Sequence, residues 1–277
     1  MEPRMRTGRV PGDGLTLAYR EWLPPACAPA ERLPLVLLHG LTGSGADWMP
    51  VAARLAAGRR VIALDARGHG LSDWSADAAY AGDAHFADVA TALDTLDVAR
   101  CHLAGFSMGG SVAILVAGAL PERVARLIVV DAYPAPEMSP GSRAIAEAVA
   151  ALAMCDGLGF DPAIARRIAE ELASGEARRL DLWPFWEALR CPTLLVRGAW
   201  SDVLPAPLAA EMLARQPRAR LATVPGVGHQ IPFQRPRELA ELIEDFLDDL
   251  QPGGGRFCAP HPQPLSRKRE RGARRAG

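Results

Sequence analysis

The sequence lacks a long apolar run and any large surplus of charge. Of its 277 residues, 49% are hydrophobic and 23% are charged, and the formal net charge is −1. No stretch of about 18 consecutive apolar residues occurs, which excludes an ordinary membrane-spanning helix. The basic N-terminus is not followed by an apolar segment, so we expect no signal peptide. These features predict a cytoplasmic globular protein, and its length favours one domain carrying an insertion.

Cysteine is scarce, and its spacing argues against both a disulfide framework and a zinc site. The number of cysteines is odd, and no two of them have the C-x-x-C spacing. We therefore expect free thiols, most of them buried, at Cys27, Cys101, Cys155, Cys191 and Cys258.

The charge is unevenly distributed along the chain. Residues 251–277 contain seven Lys or Arg and one acid, together with Gly253-Gly254-Gly255 and several prolines. This composition without apolar periodicity predicts a disordered basic tail that has no catalytic part. A basic tail can bind nucleic acid or an anionic membrane, but the composition favours a solvated appendage. We expect neither partner.

Buried strands alternate with helices along most of the chain. A hairpin predicted over residues 9–24 leads into continuous apolar runs that are typical of parallel strands covered on both faces. The intervening segments have helical periodicity. This alternation predicts an α/β fold with a doubly wound, mostly parallel β-sheet, whose ligands bind at the carboxyl ends of the strands. Predicted strands cover residues 34–40, 60–65, 99–104, 126–131, 191–198 and 220–224, and a closing helix covers 236–250.

The alternation stops between Tyr133 and Arg190. Three helical patterns occupy this stretch, at residues 142–154, 162–173 and 182–189. We interpret the stretch as a small helical cap inserted before the penultimate strand. The predicted organisation is therefore a core of residues 1–132 and 190–250, a cap of residues 133–189 and the tail of residues 251–277.

One stretch carries a recognisable chemical pattern, Gly105-Phe106-Ser107-Met108-Gly109, between a buried strand and a helix. G-x-S-x-G at such a junction is the pattern of a nucleophile elbow. The turn is so tight that its flanks cannot carry side chains, and the central serine is held in a strained conformation that exposes its hydroxyl. Small residues also cluster in ordinary turns, so the pattern alone leaves a plain structural turn open.

The order of several motifs is more specific than the elbow. A His39-Gly40 loop, Arg67-Gly68-His69-Gly70, the elbow, Arg197-Gly198 followed by Asp202, and Gly226-Val227-Gly228-His229 occur in succession. In this order they resemble the α/β-hydrolase fold superfamily, and the resemblance spans residues 10–250. It implies that Ser107 is a nucleophile and that catalysis needs neither a metal nor a cofactor.

Ser107 needs a base and an acid that orients it. A serine hydroxyl is a weak nucleophile until a base accepts its proton, and the resemblance assigns this role to His229. The acid must be a carboxylate near the mouth of the sheet. We expect Asp202, which follows the strand ending at Gly198, while Asp131 at the end of the preceding strand is the alternative. Asp65 is interpreted as structural, holding the glycine-rich turn behind it.

The resemblance also implies where an oxyanion is stabilised and leaves the substrate pocket open. Two backbone N–H donors are needed, and the pattern of the superfamily places them at Leu41 and Met108. Aromatic side chains could line an apolar pocket under the cap, although core packing explains any one of them equally well. The candidates are Trp48, Tyr133, Trp183, Trp186 and Trp200, with Phe160 and Phe185 in addition.

Together these features predict a serine hydrolase of carboxylesterase type. It would cleave an ester or lactone of a small, largely apolar substrate through an acyl-enzyme on Ser107, acting as a monomer or homodimer. A serine at the elbow argues against the dehalogenase and epoxide hydrolase members, which need a carboxylate there. Carbon–carbon bond hydrolysis of dienoic diketones and a non-catalytic ligand receptor on the same fold are the alternatives.

Overall fold

A computed structural model describes residues 4–25, 32–155, 157–175 and 180–248. The predicted basic tail, Cys27 and Cys258 lie outside the described residues. Of the other three cysteines, which are all free, Cys101 and Cys191 are buried and Cys155 is exposed.

The core of the molecule is an eight-stranded sheet with the strand order β1-β2-β4-β3-β5-β6-β7-β8. The first two strands form the predicted antiparallel hairpin, and β2 pairs antiparallel with β4. All pairs among the remaining strands are parallel. The predicted fold class, a mostly parallel sheet with helices around it, is confirmed. The strands are β1 (Arg4–Pro11), β2 (Thr16–Leu23), β3 (Leu35–Leu38), β4 (Val61–Leu64), β5 (Cys101–Phe106), β6 (Val124–Val130), β7 (Thr193–Gly198) and β8 (Ala219–Val224).

The helices follow the periodic segments of the sequence within a few residues. A four-residue 3₁₀ turn, Gly45–Trp48, precedes the first of them. None of the described helices is long and apolar enough to cross a membrane. The helices are α1 (Met49–Leu55), α2 (Gly82–Thr95), α3 (Met108–Ala119), α4 (Pro140–Ala150), α5 (Pro162–Ser174), α6 (Trp183–Glu187), α7 (Ala206–Arg215), α8 (Ile231–Gln234) and α9 (Pro236–Asp248).

Each face of the sheet has its own apolar core. One face packs against α2, α3 and α7, and the other packs against α1 and α9. Strands β3, β4 and β5 are buried along their whole length, as expected for parallel strands covered on both faces. Packing on both faces makes the sheet rigid, so functional groups at its carboxyl edge are held in fixed positions.

A smaller apolar cluster lies above the carboxyl edge, where α4 packs against α5. Asp161 caps α5 by accepting a hydrogen bond from the N–H of Ala163, and Ser139 caps α4 in the same way through Ser142. The third helix of the predicted cap differs from these two, because α6 packs on α3 and its Trp186 belongs to the sheet core. The layer above the edge thus consists of α4 and α5.

Candidate active site

The turn between β5 and α3 has the geometry that its glycines predict. Ser107 has φ 53° and ψ −117°, a strained conformation for a residue other than glycine. A Cβ at Gly105 would lie 2.1 Å from the carbonyl oxygen of Gly109, and a Cβ at Gly109 would lie 2.4 Å from that of Leu38. Because neither flank has room for a side chain, the backbone can turn sharply and present the Ser107 hydroxyl at the tip of the turn.

The Ser107 hydroxyl lies at one end of a chain of three side chains. Its Oγ is 3.0 Å from Nε2 of His229. The other ring nitrogen, Nδ1, is 2.8 Å from Oδ2 of Asp131. The imidazole is one-tenth exposed and the carboxylate is fully buried. The structure thus brings together the predicted Ser107 and His229, and it joins them to Asp131.

Asp131 is held in place by further donors. Its Oδ1 accepts the N–H of Gly198, 3.1 Å away, and its Oδ2 also accepts the hydroxyl of Ser201. Asp131 follows β6 directly and has φ 50°. Ser201 itself is fixed, because its Oγ accepts the N–H of Leu204. The carboxylate is therefore oriented from two sides before it meets the imidazole.

The expectation that Asp202 supplies the acid is wrong for this structure. Asp202 is exposed and lies against the start of α4, where its carbonyl oxygen accepts the N–H of Gly141 at 3.2 Å. Strands β6 and β7 are neighbours and end at the same edge, so either could present a carboxylate there. The turn after Gly198 points Ser201 inward and Asp202 outward, which leaves Asp131 as the partner of His229.

The segment after β3 lies against the elbow. A Cβ at Gly40 would lie 3.3 Å from that of Ser107, so only glycine allows the backbone this close. The His39 ring fixes the segment, because Nε2 accepts the N–H of Ala66 at 2.9 Å and Nδ1 donates to the Gly40 carbonyl at 2.7 Å. Burial lowers the pKa of His39. A neutral His39 thus positions the loop that carries Leu41.

Asp65 has the structural role expected of it. It is fully buried at the end of β4. Its carboxylate accepts the N–H of Gly45 at 2.7 Å and the N–H of Leu71 at 2.9 Å, and it pairs with Arg20. It therefore ties the Arg67-Gly68-His69-Gly70 turn to the sheet.

A cavity of about 630 Å³ opens beside Ser107. Leu41 and Met108, the predicted oxyanion residues, both line it. Most of the lining is apolar and comes from α3, α4 and α5. Arg167 and Glu171 form an ion pair, with 2.7 Å between Nε and Oε1, so their charges compensate each other. Asp83 of α2 also borders the cavity, but it is exposed to solvent. The cavity therefore suits an uncharged, largely apolar molecule.

The aromatic candidates for the pocket are placed elsewhere, and that part of the prediction is wrong. Trp48 and Trp186 are buried in the two sheet cores, and Nε1 of Trp186 donates to the Met212 carbonyl. Tyr133 is also buried in the sheet core, where its hydroxyl accepts the Ser139 N–H. Trp183 lies under the Arg215 guanidinium, while Trp200 is 74% exposed. Packing explains the first four of these side chains, whereas Trp200 is exposed to solvent.

Phe160 and Phe185, the additional aromatic candidates, are likewise absent from the lining of the cavity described here. Phe160 stacks on His69, and Phe185 lies against Gly118 of α3.

The lining residues that were missed share a helical spacing. They recur at positions i, i+3, i+4 and i+7, which is one face of a helix. Such a stripe is the sequence signal that indicates these residues. On α3 they are Ser111, Val112 and Leu115, in the same stripe as the predicted oxyanion residue Met108; on α5 they are Ile164, Arg167, Ile168 and Glu171.

Known proteins resemble this chain over most of its length. Residues 35–242 match the model of the alpha/beta hydrolase family. A 3-hydroxybutyrate-oligomer hydrolase of Cupriavidus necator is 30% identical over 279 residues, covering 83% of this chain and 92% of the relative. An sn-1-specific diacylglycerol lipase of Mus musculus is 29% identical, and the alignment covers 84% of this chain and 85% of the relative.

A solved structure from Novosphingobium aromaticivorans, described as an alpha/beta hydrolase, superposes with a TM-score of 0.72. It is 28% identical, and the alignment covers 89% of this chain and 98% of that one. The chain belongs to the alpha/beta hydrolase family, and the relatives named above are hydrolases or a lipase.

Proposed function

We propose that the protein is a serine hydrolase that cleaves carboxylic esters of small, largely apolar substrates. The observation that carries the proposal is the hydrogen-bonded chain from Ser107 through His229 to Asp131. This is the arrangement of nucleophile, base and orienting acid that nucleophilic acyl transfer requires. The names of the hydrolase and lipase relatives support the same chemistry.

In the first step the Ser107 hydroxyl attacks the ester carbonyl while His229 Nε2 accepts its proton. Asp131 holds the imidazole so that Nε2 faces the serine, and its charge stabilises the imidazolium that forms. His229 then gives the proton to the departing alcohol, and the acyl group remains on Ser107. Water attacks this acyl-enzyme with the help of the same base, which releases the acid and restores the serine.

The carbonyl oxygen becomes negative in each attack and needs donors aimed at it. The N–H groups of Leu41 and Met108 are proposed for this role, because both residues line the cavity beside Ser107. Met108 is also the first residue of α3, where the partial positive charge of the helix end favours an anion. Backbone donors of this kind are already in place before the reaction begins.

The test is hydrolysis of p-nitrophenyl butyrate by the wild type and by Ser107→Ala. We expect turnover to fall by at least about a thousandfold in the variant, with an unchanged thermal midpoint. A fluorophosphonate probe should label the wild type at Ser107 alone. Hydrolysis that survives in Ser107→Ala, or a wild type that neither turns over the ester nor reacts with the probe, would refute the proposal.

A further inference from the structure

The imidazole of His85 is a buried polar group at the wall of the cavity. The proposed mechanism gives this side chain no role. His85 lies in the first turn of α2, is 6% exposed and lines the cavity beside Ser107. It also lines a narrow recess of about 20 Å³ that Met108 shares. The side chain is thus close to the elbow on the side where α3 begins.

Within the part of the chain that the structure describes, the His85 ring has no hydrogen-bond partner. His39, a neighbour along the same recess, uses both of its ring nitrogens. The unpaired ring nitrogens of His69 and His102 are sealed within the protein, whereas the His85 ring borders the open cavity. A polar group that borders an open cavity can be satisfied by water, or by a ligand group that displaces the water. The ring is therefore available to a molecule in the cavity.

The protonation state of His85 defines what it can bind. Burial lowers its pKa to about 3, and the nearby cations Arg67 and Arg167 act in the same direction. A neutral imidazole has one N–H donor and one acceptor nitrogen. It has no charge that would favour a carboxylate, and it matches a hydroxyl group, which can both donate and accept, and a keto oxygen, which accepts.

We propose that His85 is a specificity-determining residue that selects esters carrying a hydroxyl or keto oxygen near the scissile bond. This inference rests on the proposed ester hydrolysis and adds a substrate class to it. The remaining wall of the cavity is mainly apolar, and several of its polar side chains already have partners: the Tyr80 hydroxyl donates to Asp161, and Arg167 pairs with Glu171. His85 is therefore the side chain that we assign to recognition of a substrate oxygen. A site that hydrogen-bonds such an oxygen discriminates against the analogue lacking it, because the protein group then stays unpaired.

The experiment compares paired substrates that differ by one hydroxyl. On the acyl side the pair is p-nitrophenyl 3-hydroxybutyrate and p-nitrophenyl butyrate. On the alcohol side it is 3-hydroxybutyl butyrate and butyl butyrate, followed by titration of the released acid. We expect kcat/KM of the wild type to favour the hydroxylated member of one pair by about tenfold or more, and the pair that responds identifies the side.

In His85→Leu the ratio of the two kcat/KM values should fall to about one. His85→Gln, which keeps a donor and an acceptor, should preserve part of the preference. His102→Leu is the matched control, because it also replaces a buried histidine but lies on β5 away from the cavity lining. A preference that persists unchanged in His85→Leu, or its absence from the wild type for both pairs, overturns the inference.

A binding measurement tests the role of His85 independently of whether the protein hydrolyses esters. In ¹⁵N-histidine-labelled Ser107→Ala, the imidazole signal of His85 is assigned by its loss in the double variant with His85→Leu. Methyl 3-hydroxybutyrate and 3-hydroxybutyl butyrate are titrated in turn, each beside its unsubstituted ester, methyl butyrate or butyl butyrate. At least one hydroxylated ester should move that signal more than its partner does. Equal or absent shifts in both pairs overturn the role of His85 even if esters are not hydrolysed.

Discussion

The carboxyl edge of the sheet and the helical layer above it differ in how they are built. At the edge, Ser107 and Asp131 follow adjacent strands and both have positive φ, so backbone geometry positions the reacting groups. In the layer, α4 and α5 contribute side chains of ordinary helical stripes to the cavity. We therefore expect the first region to tolerate little change of residue, and the second to vary in size and polarity while the proposed chemistry stays the same.

The largest effect that this comparison predicts is at the acid. Asp131→Asn should lower kcat for p-nitrophenyl butyrate by about 10⁴-fold, because the amide cannot stabilise the imidazolium and favours the wrong tautomer of His229. Asp202→Asn is the matched control at the neighbouring strand end, and its kcat should stay within about twofold of the wild type. The reverse ranking of the two variants would restore Asp202 as the acid.

A change in the helical layer should alter selectivity instead. Ile168→Trp on α5 fills part of the cavity, so kcat/KM for a decanoyl ester should fall by about 10- to 100-fold while an acetyl ester is still hydrolysed. Ala173→Trp, on the exposed side of the same helix, serves as control. Equal losses for the long and the short ester would mean that the layer also contributes to the chemistry.

A third prediction concerns a residue that belongs to neither region. Burial lowers the pKa of His102, on β5, to about 4. Its unfolded pKa is about 6.5, so the unfolded chain binds the extra proton in the window from pH 6.5 to 4. The stability that neutral His102 contributes is therefore present above pH 6.5 and is lost as the pH falls through that window.

Between pH 7 and pH 5 the wild type should accordingly lose about 2 kcal/mol more unfolding free energy than His102→Leu. Urea titrations at both pH values measure this difference. Identical losses in the two proteins would show that folding does not lower the pKa of His102. Hydrolytic activity of the variant at pH 7 should match the wild type, because His102 does not line the cavity.

The smallest effect is expected at Ser201. Ser201→Ala removes one of the donors to Asp131 but leaves the contact with His229, so kcat should fall by about tenfold with little change in KM. Thr193→Val, which removes a buried hydroxyl at the opposite end of β7, should leave kcat unchanged. A Ser201→Ala variant with wild-type kcat would show that the N–H of Gly198 suffices to hold the carboxylate.

Most of the fold was accessible from the sequence because parallel strands and amphipathic helices have strong periodic patterns. The elbow was accessible for a different reason, because only glycine fits on either side of its serine. A Cβ at Gly105 or at Gly109 would lie 2.1 or 2.4 Å from a backbone oxygen, which is too close for any side chain. The four-residue helix α8 was missed, since it is too short to establish a period. It lies just beyond His229 and did not affect the identification of that residue.

The sequence did not decide between the two candidate acids, and its large aromatic residues pointed away from the pocket. Asp131 and Asp202 both follow strands that end at one edge, and the conformation of a few loop residues decides which carboxylate faces His229. The large aromatics were misleading because Trp48 and Trp186 contribute more to stability inside a core than at an open cavity. The predicted cap boundary at residue 189 remains a prediction, although α6 packs with the core below it.

The contact between His229 and Ser107 joins residues that are 122 positions apart, and the contact between His229 and Asp131 spans 98 positions. Both require β7 and β8 to have docked on the sheet, since His229 follows the last strand. Such distant pairings are entropically costly to close and tend to form late in folding. Recovered hydrolysis after dilution from denaturant would therefore report completion of the whole sheet, and it should lag behind the recovery of helical circular dichroism.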